Sequence, residues 1–140
     1  MKKLNKEIIN CNTYTIMKRL KTVNSNKLDS DQSLIFFAGV IYSIILNRSI
    51  YKKNADLEPF VKKYILSPLN KEQFKRYVYL SRTLLGSRVY RIIIEDFSYS
   101  LVTEVSQKLL LLFEKSDSQN KNKVKTNNIA SELSGWLKND

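Results

Sequence analysis

The sequence predicts an all-α protein, a compact bundle of five or six helices with a polar linker before a short C-terminal helix. Three observations carry that expectation. Glycine (three) and proline (two) are too scarce in 140 residues for the turns that an all-β fold needs. Apolar residues recur at helical spacing in one segment after another. Residues that start and stop helices stand between those segments. The expected division is a helical bundle over residues 1–115, a polar linker over 116–128 and a C-terminal helix over 129–140 packed on the bundle.

Residues 4–23 place Leu4, Ile8, Ile9, Ile16, Met17, Leu20 and Val23 at the spacing of an amphipathic helix. The polar stretch "NSNKLDSD" connects it to a helix expected from about Asp31 to Ser49. Asp29, with Gln32 three positions on, has the form of an N-cap and its reciprocal partner. Leu34 to Leu46 is almost wholly apolar. That run is too short for a bilayer, which needs roughly 20 apolar residues. A helix apolar nearly all round belongs inside a bundle. Gly39 within it costs about 1 kcal/mol in helix propensity, and a close approach by another helix would explain its presence.

A loop holding Lys52 and Lys53 leads to the segment "ADLEPFVKKYIL". There Asp56 is the expected cap and Pro59 falls in the first turn, where a missing N–H does little harm. Ser67 and Pro68 end that helix. Asn70 and Gln73 start the next, whose apolar arc holds Phe74, Tyr77, Val78, Leu84 and Leu85. Unbroken continuation would carry Arg88 and Arg91 into that arc, so a break is expected near Gly86. From Ser87 to Lys115 a second helical phase gathers Tyr90, Ile94, Phe97, Leu101, Val105 and Leu112. The β-branched stretch "RVYRIII" leaves a strand as the alternative. Residues 116–128 are polar without apolar periodicity. The final segment is anchored by Ile129, Leu133, Trp136 and Leu137.

The net charge is +11, and it is unevenly placed. Residues 1–27 hold seven basic residues against one acidic, and residues 57–86 hold six against two. The stretches between and after them are neutral or nearly so. Two basic blocks suggest a basic face, for which a polyanion is the natural partner. The plainer alternative is a basic protein without one.

The pattern offers little for catalysis. The chain has no histidine, the commonest general base, and one cysteine, Cys11, read as a structural thiol. Glu95 and Asp96 are adjacent and so point about 100° apart on a helix. Only Gly39, Gly86 and Gly135 exist, which leaves no phosphate-cradling glycine loop. The expectation is a non-enzyme with no cofactor, no metal, no small-molecule substrate and no membrane partner. A lone cysteine and an N-terminus without a continuous apolar stretch point to the cytoplasm.

The candidate binding feature is Lys71, Lys75, Tyr79 and Arg82, at i, i+4, i+8 and i+11. On one helix that spacing makes a stripe of cations interrupted by a ring, with Arg76 flanking it. Regularly spaced cations suit phosphates, and a tyrosine stacks on a sugar or a splayed base. Arg48, Lys52, Lys53, Lys62 and Lys63 extend the patch if their loop folds toward it. The competing reading is an ordinary solvated helix face. Arg88 and Arg91 are expected to pair with Glu95 or Asp96.

The stretch "FFAGVIYSIILNRSIYKKNADLEPFVKKYI" resembles the C-terminal helical region of the large subunit of type I-B CRISPR effector complexes. In several such systems that region is also made as a separate small subunit. The likeness covers residues 31–66 and is carried by Phe36, Phe37, Ala38, Gly39, Tyr42, Leu57, Glu58, Pro59 and Phe60. It implies a small, basic, non-catalytic subunit of a crRNA-guided Cascade-type surveillance complex. Several copies would stack beside other protein subunits. They would hold displaced single-stranded DNA and the RNA–DNA heteroduplex by their backbones, while base pairing supplies specificity. Two other readings stand beside it. One is a helix-turn-helix regulator with "SPLN" as its turn and "KEQFKRYVYLSRTL" as its recognition helix. The other is a helical adaptor or inhibitor whose only partners are proteins.

Overall fold

Asp29 opens the central helix as its spacing to Gln32 predicts. Its carboxylate accepts from the Gln32 backbone N–H at 2.8 Å, and the Gln32 side chain accepts from the Asp29 N–H at 3.3 Å. In this computed structural model, which describes residues 13–25 and 27–122, the helix runs Ser30–Leu46. The described residues form six α-helices and no strand. They are α1 (Thr13–Val23), α2 (Ser30–Leu46), α3 (Leu57–Val61), α4 (Arg76–Tyr79), α5 (Arg82–Asp96) and α6 (Tyr99–Asn122).

Helix α2 is the spine. Phe37, Ala38, Val40, Ile41, Ile44 and Ile45 are buried, and it packs against α1, α5 and α6. Helix α5 runs antiparallel to it. Ile45 meets Arg82, Tyr42 meets Gly86, and the Phe37 ring lies 5.9 Å from that of Phe97. Helix α1 buries Ile16, Met17, Leu20 and Val23, the face its spacing predicts, against α6 and α2. The expected helical residues 4–12, Cys11 among them, lie outside the described residues.

Helix α3 begins without the expected cap. Asp56 makes no side-chain capping bond, and a 3-10 turn, Asn54–Asp56, leads in instead. Pro59 sits in the first turn as anticipated. After Val61 the helix widens into a π turn, Lys62–Leu66, closed by the Ser67 N–H on the Lys62 carbonyl. The wider turn lets three consecutive residues, Tyr64, Ile65 and Leu66, face the core while Lys62 and Lys63 face out.

The largest departure comes next. Asn70 does not start a helix; it ends one, in the left-handed conformation at φ 55° and ψ 38°. The Lys71 N–H returns to the Leu66 carbonyl at 2.9 Å, as in a helix closed by a left-handed residue. Residues 71–75 are non-helical, and α4 is a single turn. The chain breaks at Leu80–Ser81, and the Ser81 hydroxyl accepts from the Leu84 N–H at 3.3 Å to cap α5. Helix α5 then passes unbroken through Gly86, where the break was expected. It also settles residues 87–96 as helix.

The glycines exchange roles. A Cβ at Gly39 would meet nothing within 4 Å, whereas one at Gly86 would stand 2.9 Å from the Tyr42 ring. The close approach anticipated at Gly39 therefore lies across the interface, at Gly86. Beyond Asp96 a second break follows, with Phe97 extended and buried and the Ser98 hydroxyl accepting from the Leu101 N–H at 3.1 Å. That break resets the phase. Phe97, Val105 and Leu112 are core, as expected, but Ile94 is exposed and Tyr90 and Leu101 are only half-buried. Val89, Ile93, Val102 and Leu109 take the core positions.

Helix α6 continues to Asn122, through the first part of the stretch read as a polar linker. The expected helix over 129–140, with Ile129, Leu133, Trp136 and Leu137, lies outside the described residues. Among the described residues no helix is long and apolar enough to cross a membrane.

Candidate nucleic-acid interface

The stripe expected along one helix is not assembled. It needs an unbroken helix from Lys71 to Arg82, and the left-handed Asn70 and the Ser81 cap divide that stretch. Lys71 is exposed but paired with Asp96 at 3.2 Å. Lys75 lies in the non-helical segment and Arg76 opens α4, both exposed. Tyr79, the intended stacking ring, is 3% exposed and donates its hydroxyl to Gln73 Oε1. Burial pushes that hydroxyl's pKa up, and the Glu58 carboxylate adds to the shift. Residues 71–84, the recognition helix of the helix-turn-helix reading, are for the same reason not one helix.

Arg82 is not a surface cation at all. It is 6% exposed, and its guanidinium holds two backbone carbonyls and one side-chain oxygen. Nε donates to Asn54 Oδ1 at 2.8 Å, Nη1 to the Ile45 carbonyl at 3.0 Å and Nη2 to the Tyr51 carbonyl. The Ile45 carbonyl belongs to the last turn of α2, where backbone acceptors lack helical partners and the helix end is partly negative. A buried cation is tolerated there because it satisfies those acceptors. Burial still pulls its pKa down, Arg48 adds to that, and Asp56 opposes it.

What Arg82 fastens is the loop between α2 and α3. Arg48, Lys52 and Lys53 are exposed on that loop, and none has an ion pair among the described residues. The Asn54 side-chain amide also donates to the Leu80 carbonyl at 3.3 Å, which sets the loop against the α4–α5 turn. That turn presents Leu80, 71% exposed, and Tyr77, 52% exposed. The Arg88 guanidinium lies 5.8 Å from the Tyr77 ring centre and donates to its hydroxyl at 3.2 Å. Arg88 is thus drawn to a ring and not to a carboxylate, while Arg91 pairs with Glu95 at 3.1 Å as expected. The structure brings the end of that loop, beside Lys53, to the turn that follows α4.

Lys62 and Lys63 are exposed on the outer side of the π turn. The Lys63 ammonium lies 5.4 Å from the Tyr64 ring centre, beside a small hollow lined by Tyr51, Asp56, Phe60 and Leu112. A second, open depression between α2 and α5 is lined by Gly39, Tyr42, Ser87 and Tyr90.

Tyr77 was missed as a surface ring because its spacing places it in an apolar arc. The readable signal was Ser81, an N-cap residue standing before a new apolar run. Among the described residues no three histidine, cysteine, aspartate or glutamate side chains are grouped to hold a metal.

Compared with family models, curated proteins and solved structures, the chain matches none.

Proposed function

We propose that this chain is a non-catalytic protein that binds nucleic acid through its phosphate backbone, using the loop between α2 and α3 and the turn before α5. The observation that carries this reading is the loop itself. Three exposed cations without ion pairs among the described residues, Arg48, Lys52 and Lys53, stand on a loop tied to the core. Arg76 and the exposed ring of Tyr77 stand on α4, whose end the Asn54–Leu80 contact joins to the loop. Cations position a phosphate chain, and an open ring stacks on a base without regard to its identity. Single strands and heteroduplexes are therefore the substrates proposed.

The finer reading is a cytoplasmic small subunit of a crRNA-guided CRISPR complex, working beside other protein subunits and further copies of itself. It rests on the resemblance over residues 31–66. Of the residues that carry it, Phe37, Ala38, Leu57 and Phe60 are buried, so they speak for the fold and not for the contact face.

The test is a titration against a labelled single strand and a random duplex, from about 50 to about 300 mM salt. Sequence-blind binding that weakens steeply with salt is expected. Replacing Arg48, Lys52 and Lys53 by glutamine should lower the slope of log K against log salt by about 2 to 3, at roughly 0.7–0.9 per lost phosphate contact. No binding at the lowest salt would reject the reading. Tight binding to a few duplex sequences would replace it with a regulator.

A further inference from the structure

We infer that Arg82, although it is buried and reaches no ligand, is the positioning residue of this interface: it holds Arg48, Lys52 and Lys53 in one geometry before nucleic acid arrives. The inference rests on the reading above and goes one step deeper into the same site.

The loop is pinned on both sides of its cations. Before them Arg82 takes the Ile45 carbonyl, between Arg48 and Lys52 it takes the Tyr51 carbonyl, and after Lys53 it takes the Asn54 side chain. Within the loop, the Ile50 and Tyr51 N–H groups both return to the Asn47 carbonyl at 3.2 Å. The Tyr51 ring is buried and lies 5.1 Å from that of Phe60. One guanidinium thus closes the circuit that the loop backbone begins. Lysine lacks the planar fork that reaches three acceptors at once.

The consequence is for binding as well as folding. Flexible cations lose side-chain and loop freedom when they settle on phosphates, and a loop already ordered avoids much of that loss. Without the clamp, Arg48, Lys52 and Lys53 keep their charge but lose their common geometry. They then act as separate mobile charges and release fewer bound counterions together. Arg82 should therefore move the salt dependence of binding, a quantity that a purely structural residue leaves alone.

The experiment uses the full chain and a labelled oligothymidine single strand. Arg82→Met, Arg82→Lys and Asn54→Ala are checked for fold by circular dichroism and thermal melting. Affinity is then measured across the salt range, with and without Lys52→Gln/Lys53→Gln. The expected result is a folded Arg82→Met protein with about tenfold weaker binding and a salt slope lower by about 1 to 2. Arg82→Lys should not restore the slope. In the Arg82→Met background the double glutamine change should cost much less than in the wild type, a coupling that independent residues do not show. Asn54→Ala removes one of the three Arg82 bonds together with the Leu80 bond, at a half-buried site, and should give a smaller shift in the same direction. It carries the test alone if Arg82→Met does not fold. Wild-type binding with an unchanged slope in the variants and additive effects would overturn the inference and leave the interface standing. Absence of wild-type binding would overturn the interface itself.

Discussion

Residues 48–63 and residues 71–91 are both rich in cations, yet the fold disposes of them differently. In the first stretch Arg48, Lys52, Lys53, Lys62 and Lys63 all remain on the surface. In the second, Arg82 is buried, Lys71 and Arg91 are held by Asp96 and Glu95, and Arg88 leans on Tyr77. Only Lys75 and Arg76 of that group are exposed without an ion pair or ring contact among the described residues. The difference lies in what stands within reach. The second stretch has the acidic end of α5 and the carbonyl end of α2 beside it, and these acceptors take its charges out of circulation. Charge counted along a chain is thus a poor guide to charge offered to a partner.

The contrast should be largest for stability at Arg82. Arg82→Met leaves the Ile45 and Tyr51 carbonyls buried without their donor, at about 1–3 kcal/mol for each unsatisfied group. A loss of about 2–4 kcal/mol is expected in urea unfolding, read as a lower midpoint at constant m. Lys75→Met, on the exposed side of the same stretch, should stay within about 0.5 kcal/mol of wild type. Equal effects at the two positions would mean that Arg82 is not the keystone its hydrogen bonds describe.

A smaller difference separates the two glycines. Each costs its helix about 1 kcal/mol relative to alanine. Gly39→Ala meets open space and should stabilise the protein by about 0.5–1 kcal/mol. Gly86→Ala forces Tyr42 away and should lose about 1 kcal/mol net, because the overpacking penalty outweighs the propensity gain. Thermal melts of the two variants check both signs. The ion pair Lys71–Asp96, between exposed side chains, comes last: Lys71→Gln should shift stability by no more than about 0.5–1 kcal/mol.

The features legible in the sequence were those whose causes are local. The Asp29–Gln32 box, Pro59 in a first turn and the apolar face of α1 depend on residues within one or two turns. The break at Leu80–Ser81 was harder, since neither glycine nor proline marks it and the apolar spacing runs smoothly across. Asn70 was read as a helix start because its side chain suits caps, but its left-handed backbone suits a helix end equally well. The burial of Arg82 had no local signal. Its partners lie 28, 31 and 37 residues away, and only the antiparallel packing of α2 and α5 brings them together. Of the proposed site, the exposure of Arg48, Lys52 and Lys53 is legible in the sequence, whereas the spacing puts Tyr77 in the core and Tyr79 on the surface, the reverse of what the fold does.

The most direct measurement compares two double variants of equal net charge, Lys52→Gln/Lys53→Gln and Lys71→Gln/Arg91→Gln, in salt titrations against the same single strand. If the loop is the interface, the first should lower the slope of log K against log salt by about 1.5 and the second by close to zero. Equal slopes, or a larger loss in the second variant, would contradict the loop as the contact face and give that role to residues 71–91.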